Sequence, residues 1–328
     1  MDSSVGWMDP EKFVDLFLAG RSEKTFPTYE MAFRKIWVHG AEIGKLPFWW
    51  SDMDFAGHLV LLNEIEASVN MVKQASAVLT LLKELVGLET VIGSSIVKTV
   101  KRGCIKSARD RVARKGKKER TVMTIDHVKL LIGRFYKKPA KKVCPKDRRF
   151  LLHQLLSFFG MRRFDDLKEI RVEDVAVLED GDLEIFVARS KTDQDGLGFV
   201  FHVSGQKYKG FSMPEVFRWY VDSVGLSDGD YLFPRFGNAG GGKIIAQGKH
   251  FVGYSTVAAQ LKNFCLRNDI PVLTLHSCRR GGVTLAVECG IDKMTIKKVG
   301  NWTSEAVDGY FMPKKAGVDF TSKALKKL

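Results

Sequence analysis

The chain has 328 residues, enough for two domains, and its 45% hydrophobic content is sufficient to fill a proper core. Its five cysteines form no C-x-x-C pair, which excludes a zinc ribbon and argues against a disulfide framework, and the apolar stretch over residues 78–88 is broken by Lys83 and Glu84 and falls short of the roughly 20 residues that span a bilayer. A formal net charge of +14 makes a polyanion the natural partner, and DNA or RNA is the commonest one.

The first residues are polar, with acidic Asp2, and lack the basic-then-apolar pattern of a signal peptide. A soluble, intracellular protein with reduced thiols is therefore expected. Residues 10–98 read as four or five short helices. Phe13, Phe17 and Leu18 recur at helical spacing, and Tyr29, Phe33, Ile36 and Trp37 follow in steps of three and four. Further helices are expected over residues 53–69 and 71–86, punctuated by Gly40, Gly44 with Pro47, and Gly87. The composition then shifts. Lys98, Lys101, Arg102, Lys106, Arg109, Arg111, Arg114, Lys115, Lys117, Lys118 and Arg120 are opposed only by Asp110 and Glu119. Such a run is solvated, and it can lie along a phosphate backbone and release counterions or serve as an import-type signal. The boundaries expected are a helical domain over 1–108, a basic linker over 109–121 and a second domain over 122–328.

That second domain reads as mostly helical. Helices are expected over residues 124–135, with Thr124 as cap, then over 150–159 after a basic loop at 137–149, and from 214 to 220. Others follow over 255–268, 278–289 and 294–299. Residues 183–187 and 199–203 alternate and read as strands flanking a turn, and 237–242 reads as a flexible glycine loop.

Four clusters could carry chemistry. Near Gly160 an apolar helix stops, the pair Arg162–Arg163 follows, and a new amphipathic helix is expected to begin, with Arg163 near its N-terminus. An arginine at a helix N-terminus adds a fork of donors where the dipole already favours an anion. A surface arginine paired with Asp165 or Asp166 is the plainer reading. Lys191 lies in the turn between the two strands, where an ammonium can reach a phosphate oxygen or protonate a departing one. An ordinary charged turn residue would look the same. His276 and Arg279 are one helical turn apart and share a direction, and Gly281 and Gly282 permit close backbone approach. Trp302 carries a donor-only indole N–H, and Tyr310 carries a phenol with an ordinary pKa of about 10 that needs a cationic site and a base to react. His276 is the candidate base. Standing alone, either aromatic reads as core.

Arg163, Lys191, His276, Arg279, Trp302 and Tyr310 stand in the order and local spacing of the tyrosine recombinase active site, and the chain resembles that integrase-like family. Asp166 and Leu167 after Arg163, and the His-x-x-Arg pair, set the register, with Arg162 and Arg280 the alternatives if it slips by one. The Ser-Lys-Thr-Asp-Gln turn, the His-Ser-Cys-Arg-Arg-Gly-Gly run and a tyrosine eight residues after Trp302 are similar to crypton and DIRS recombinases of eukaryotic mobile elements. The resemblance implies a mainly α fold with a small antiparallel β-sheet: an all-helical N-terminal core-binding domain that clamps DNA, then a catalytic domain. It implies a site-specific recombinase that cleaves and rejoins DNA through a 3′-phosphotyrosine. In that scheme Tyr310 is the nucleophile, Lys191 protonates the leaving oxygen, and Arg163, His276, Arg279 and Trp302 hold the phosphate. Asp166 supports them where the family often has glutamate. Lys101, Arg102, Arg114, Lys115, Lys117, Lys118 and Arg120 are expected to bind DNA. Neither metal nor cofactor is expected, and no membrane. The partners implied are double-stranded DNA and further copies of the chain, as a tetramer on two sites, with Phe311, Val318, Phe320 and Leu325 of the C-terminal tail available to dock on a neighbour. A nuclear location follows if the source is eukaryotic, otherwise cytoplasm or nucleoid. A type IB topoisomerase shares this chemistry, and a domesticated DNA-binding protein would keep the fold without cleavage.

Overall fold

A computed structural model of the chain describes residues 25–114, 121–136, 143–190, 197–238 and 244–302, with side chains from residue 29 onward. It divides into two compact units, Met1–Glu119 and Arg120–Leu328.

In the first unit, α1 (Thr25–Glu42), α2 (Asp52–Glu64), α3 (Val69–Leu85) and α4 (Ser95–Arg114) enclose one core. Ala32 and Ile36 of α1, Phe55, Leu59 and Leu62 of α2, Val72 and Leu79 of α3, and Val97 and Cys104 of α4 all lie in it. Sharp caps explain the element starts. The Ser51 hydroxyl accepts from the Asp54 N–H while the Asp54 carboxylate accepts from the Ser51 N–H, at 3.2 and 2.7 Å. Between α2 and α3 the chain turns at Glu66, a left-handed residue at φ 54°, so the single helix expected over residues 53–69 ends at Glu64. His58 is buried beneath the His39 ring, their Nδ1 atoms 3.2 Å apart. Burial, together with the charges of His39 and Lys35, pushes its pKa down to about 4. α4 continues to Arg114, so residues 109–114 of the expected linker are helical. Arg111 helps hold that last turn: it donates to Asn63 Oδ1, Ser107 Oγ and Ala67 O at 2.8–3.0 Å.

The second unit is built around α6 (Pro145–Phe159), which follows α5 (Ile125–Phe135). Phe150, Leu151, Leu152, Leu155, Leu156 and Phe158 bury α6 on all sides, the mark of a central helix. It starts one turn before the sequence suggests. Pro145 sits at a first-turn position that needs no N–H, and the arginines read as loop are inside. Arg149 donates to Pro234 O at 2.7 Å and to Gln260 Oε1 at 2.9 Å. His153 is buried against Phe164 and Phe233, and burial plus the Arg149 charge pushes its pKa down to about 3.

After α7 (Phe164–Leu167), strands β1 (Val175–Val177), β2 (Leu183–Val187) and β3 (Phe199–Val203) form an antiparallel sheet in sequence order. β2 and β3 span the residues expected, with Leu183 opposite Val203 and Val187 opposite Phe199. α8 (Met213–Val224) follows, then an antiparallel pair that the sequence reading did not foresee, β4 (Pro234–Asn238) and β5 (Ile244–Phe251). α9 (Tyr254–Arg267), α10 (Leu275–Glu288) and α11 (Lys293–Val299) complete the described fold. All cysteines are free, with Cys104, Cys265 and Cys278 buried. Among the described residues no helix is long and apolar enough to cross a membrane, and no cluster of His, Cys, Asp or Glu could hold a metal.

Candidate active site

The first cluster lies where α6 ends. Gly160 has no room for a β-carbon, which would stand 2.6 Å from the Phe201 ring, and Met161 takes a left-handed φ of 53° to reverse the chain. This turn separates the paired arginines. Arg162 is fully buried; Arg163 is half-buried and caps α7. The Arg163 N–H donates to Asp166 Oδ2 at 2.9 Å, so the carboxylate fixes the backbone that carries the guanidinium. α7 is only four residues long, where a longer amphipathic helix was expected. One turn sums little dipole, so any attraction for an anion here rests on side-chain charge.

The second cluster lies in the first turns of α10. The Thr274 N–H donates to Ser277 Oγ at 3.0 Å and fixes the helix start, one turn earlier than expected. His276 is half-buried in that turn, and Arg280 is half-buried too. Arg279 is fully buried. Its Nη1 donates to Met161 O at 2.7 Å and its Nη2 to Gly300 O at 2.9 Å. Asp166 Oδ2 lies 3.8 Å from Nη1. The guanidinium carbon stands 3.7 Å from the centre of the Trp302 ring. Such a desolvated stack contributes on the order of 2 kcal/mol. Arg279 therefore ties together the end of α6, α7, α10 and the residues after α11. Trp302 is buried with Met161, Val283 and Ile296, and it covers Gly300 so closely that any β-carbon there would strike the indole. The sequence reading gave Trp302 a donor role; its ring also backs the arginine.

Gly281 and Gly282 serve close approach within the protein. A β-carbon on Gly281 would collide with Met123 O, and one on Gly282 with Phe158 O. The Met123 N–H donates to Ser277 O at 3.0 Å, so the segment leading into α5 runs against α10.

The corner is electropositive. Arg162, Arg163 and Arg279 stand against Asp166, and even with half-buried Asp165 included the cations outnumber the carboxylates three to two. Burial pushes the Arg162 pKa down to about 10, with Asp166 opposing and Arg163 adding to the shift. The group still carries its charge at neutral pH. Excess cation in a desolvated site favours an anion that brings its own oxygens.

Arg163, Asp166, Arg279 and Trp302 are thus gathered, with His276 one turn before Arg279. Lys191, Tyr310 and the tail residues lie outside the described residues. So do Lys115, Lys117, Lys118 and Arg120. Lys101 is half-buried, with burial and Lys73 lowering its pKa, while Arg102 and Arg114 are exposed. Beyond these, α4 presents Lys98, Arg102, Lys106 and Arg109 as one exposed stripe, opposite buried Val97, Cys104 and Ala108. Their steps of three and four signal that stripe in the sequence. Arg162, which spacing offers only as the alternative to Arg163, is the more deeply buried of the two.

No family model matches the chain, and no curated protein sequence matches it. Solved structures do. It is similar to the XerH site-specific recombinase in its post-cleavage complex with palindromic difH substrate, at TM-score 0.60 and 14% identity over 88% of this chain and 75% of that one. It is also similar to the Tn1549 transposon integrase in complex with circular intermediate DNA, at TM-score 0.55 and 10% identity over 92% and 94% of the two chains. With transposon right end DNA, that integrase gives TM-score 0.57 and 9% identity over 94% of each chain. At these identities the likeness shows the fold: mainly helical with small antiparallel sheets, as in the tyrosine recombinases.

Proposed function

We propose that the protein is a site-specific DNA recombinase that cuts and rejoins strands through a covalent 3′-phosphotyrosine, and that it serves a mobile element. The observation that carries the reading is the convergence of half-buried Arg163, fully buried Arg279 and Trp302 around Asp166. Tyr310 Oη attacks the scissile phosphorus and gives its proton to His276. The new P–Oη bond replaces the P–O5′ bond, and O5′ takes a proton from Lys191. Arg163 and Arg279 stabilise the charge that builds on the nonbridging oxygens, and His276 and Trp302 donate to them. A 5′ hydroxyl from a second duplex reverses the step and completes the exchange. Bond energy is kept in the phosphotyrosine, so no nucleotide is consumed.

Double-stranded DNA is the substrate, and four copies of the chain acting on two sites are part of the same proposal. So are the division into a DNA-clamping helical domain and a catalytic domain, the crypton and DIRS affinity of the motifs, and a nuclear site of action in a eukaryotic host. The α4 stripe supplies sequence-independent contacts to phosphates. The test uses a pool of nicked duplexes with randomised flanks, which trap the covalent enzyme by losing the cleaved fragment. The wild-type chain forms an adduct that survives denaturing electrophoresis, and Tyr310→Phe forms none. A wild-type chain that binds the pool without forming an adduct refutes the enzyme and leaves a DNA-binding protein.

A further inference from the structure

We infer that Arg280 binds the phosphate next to the scissile one and so sets where along the strand the corner acts. The inference rests on the function proposed above and adds a substrate contact on α10 to it.

Burial leaves α10 a narrow accessible stripe. From Leu275 to Val283 every residue is buried except His276 and Arg280, which are half-buried. Thr284, also half-buried, extends the stripe in steps of four. A ligand that reaches His276 from solvent therefore meets Arg280 next, about 6 Å further along the helix axis.

The arginines differ in what already holds them. Arg279 is fully buried, and its two terminal nitrogens donate to Met161 O and Gly300 O. Arg162 is fully buried under β3: its guanidinium carbon lies 4.8 and 4.6 Å from the ring centres of Phe199 and Phe201, and its Nε donates to Gly160 O at 2.6 Å. The Arg280 guanidinium has no hydrogen bond or ion pair with any described residue.

Stability gives no reason for a cation there. Arg280 lies in the second turn of α10, toward the positive end of the helix, where a cation gains nothing from the dipole. The one carboxylate of α10, Glu288, stands about 12 Å further along the axis. Next to Arg280 in sequence is Arg279, a charge of the same sign. What the position does offer is a partly buried stem, which restricts the side chain and lowers the entropy lost when its head is ordered on a ligand. A planar fork of donors with uncompensated charge suits a phosphate. In the proposed reaction Arg163, His276, Arg279 and Trp302 surround the scissile phosphate. Arg280, one turn beyond His276, then reaches its neighbour on the same strand. A contact of this kind fixes register and reads no sequence.

The test removes the partner as well as the arginine. The full chain is given nicked duplexes with randomised flanks, the nick lying a short way 3′ of the phosphate to be attacked. One pool is ordinary; two others carry an uncharged methylphosphonate at the phosphate on one or the other side of the attacked one. On the ordinary pool Arg280→Gln slows adduct formation by about 10- to 100-fold, the worth of a charge-assisted contact. Arg280→Lys, which keeps the charge, recovers part of the loss. On one of the two methylphosphonate pools wild type is slowed by a similar factor, and Arg280→Gln stays within about threefold of it, because the charge it has lost no longer has a partner. Equal slowing of Arg280→Gln on all three pools overturns the inference alone. So does a lowered urea midpoint, which would make Arg280 part of the scaffold, or a variant as fast as an active wild type on the ordinary pool. A wild-type chain that forms no adduct on any pool refutes the proposed function and this inference with it.

Discussion

α4 and the corner around Arg279 both concentrate positive charge, by opposite means. On α4, Lys98, Arg102, Lys106 and Arg109 stand in water along about 16 Å of helix. Their charge costs the fold little, reaches any polyanion and is screened by salt. At the corner, Arg162 and Arg279 are stripped of water and held by carbonyls and rings, and Asp166 orients the backbone of Arg163. That charge is costly to bury, but it is aimed before a ligand arrives. On the function proposed above, the first kind of charge would grip a duplex and the second would act on one of its phosphates.

The sharpest way to break the comparison is Arg279→Ala. It leaves Met161 O and Gly300 O without a donor and empties the space over Trp302, so a loss of about 3–5 kcal/mol is expected in urea denaturation of the full chain. Unchanged stability would mean that the buried cation is not part of the scaffold. Next comes acidity. His58 and His153 have folded pKa values of about 4 and about 3, below the value of about 6.5 for an unfolded histidine. The unfolded chain then binds more protons, so stability is full above about pH 6.5 and falls as pH drops through the window down to those folded values. At pH 5 each histidine should cost on the order of 2 kcal/mol relative to pH 7.5. His58→Gln and His153→Gln should each flatten that slope in pH-dependent unfolding.

A finer comparison lies within α4. Arg111→Ala removes donors to Asn63 and Ala67 and should cost roughly 1–3 kcal/mol, whereas Arg109→Ala on the exposed face should stay within about 0.5 kcal/mol. Thermal melts of the two variants check this. The smallest effect on the fold is expected from replacing Lys98, Arg102, Lys106 and Arg109 together by alanine. Stability should barely move, but the slope of log affinity for duplex DNA against log salt should fall by about 3 to 4. An unchanged slope would take the stripe out of the DNA interface.

Much of this architecture is legible because burial imposes a period. β2 and β3 alternate cleanly since one face packs on the core, and α5 shows an apolar face behind a cap at Thr124. The β4–β5 pair is hidden because Gly237 and Gly248 interrupt its alternation and no residue of β5 is buried. The first turn of α6 is hidden because a run of charged residues reads as solvated, and nothing in one dimension says that Arg148 and Arg149 have partners far along the chain. At the candidate site the arginines and Trp302 could be picked out by spacing. What spacing could not convey is depth. Arg162 and Arg163 are neighbours in sequence, yet one faces the inside of a sheet and the other stays at the rim.

The stitch between Met123 and Ser277 has a mechanical consequence. Tension applied to the peptide upstream of Met123, whatever its source, is delivered through one amide and a bare glycine contact to the helical turn bearing His276 and Arg279. The point where the polypeptide enters its second unit is thus tied directly to the corner around Arg279.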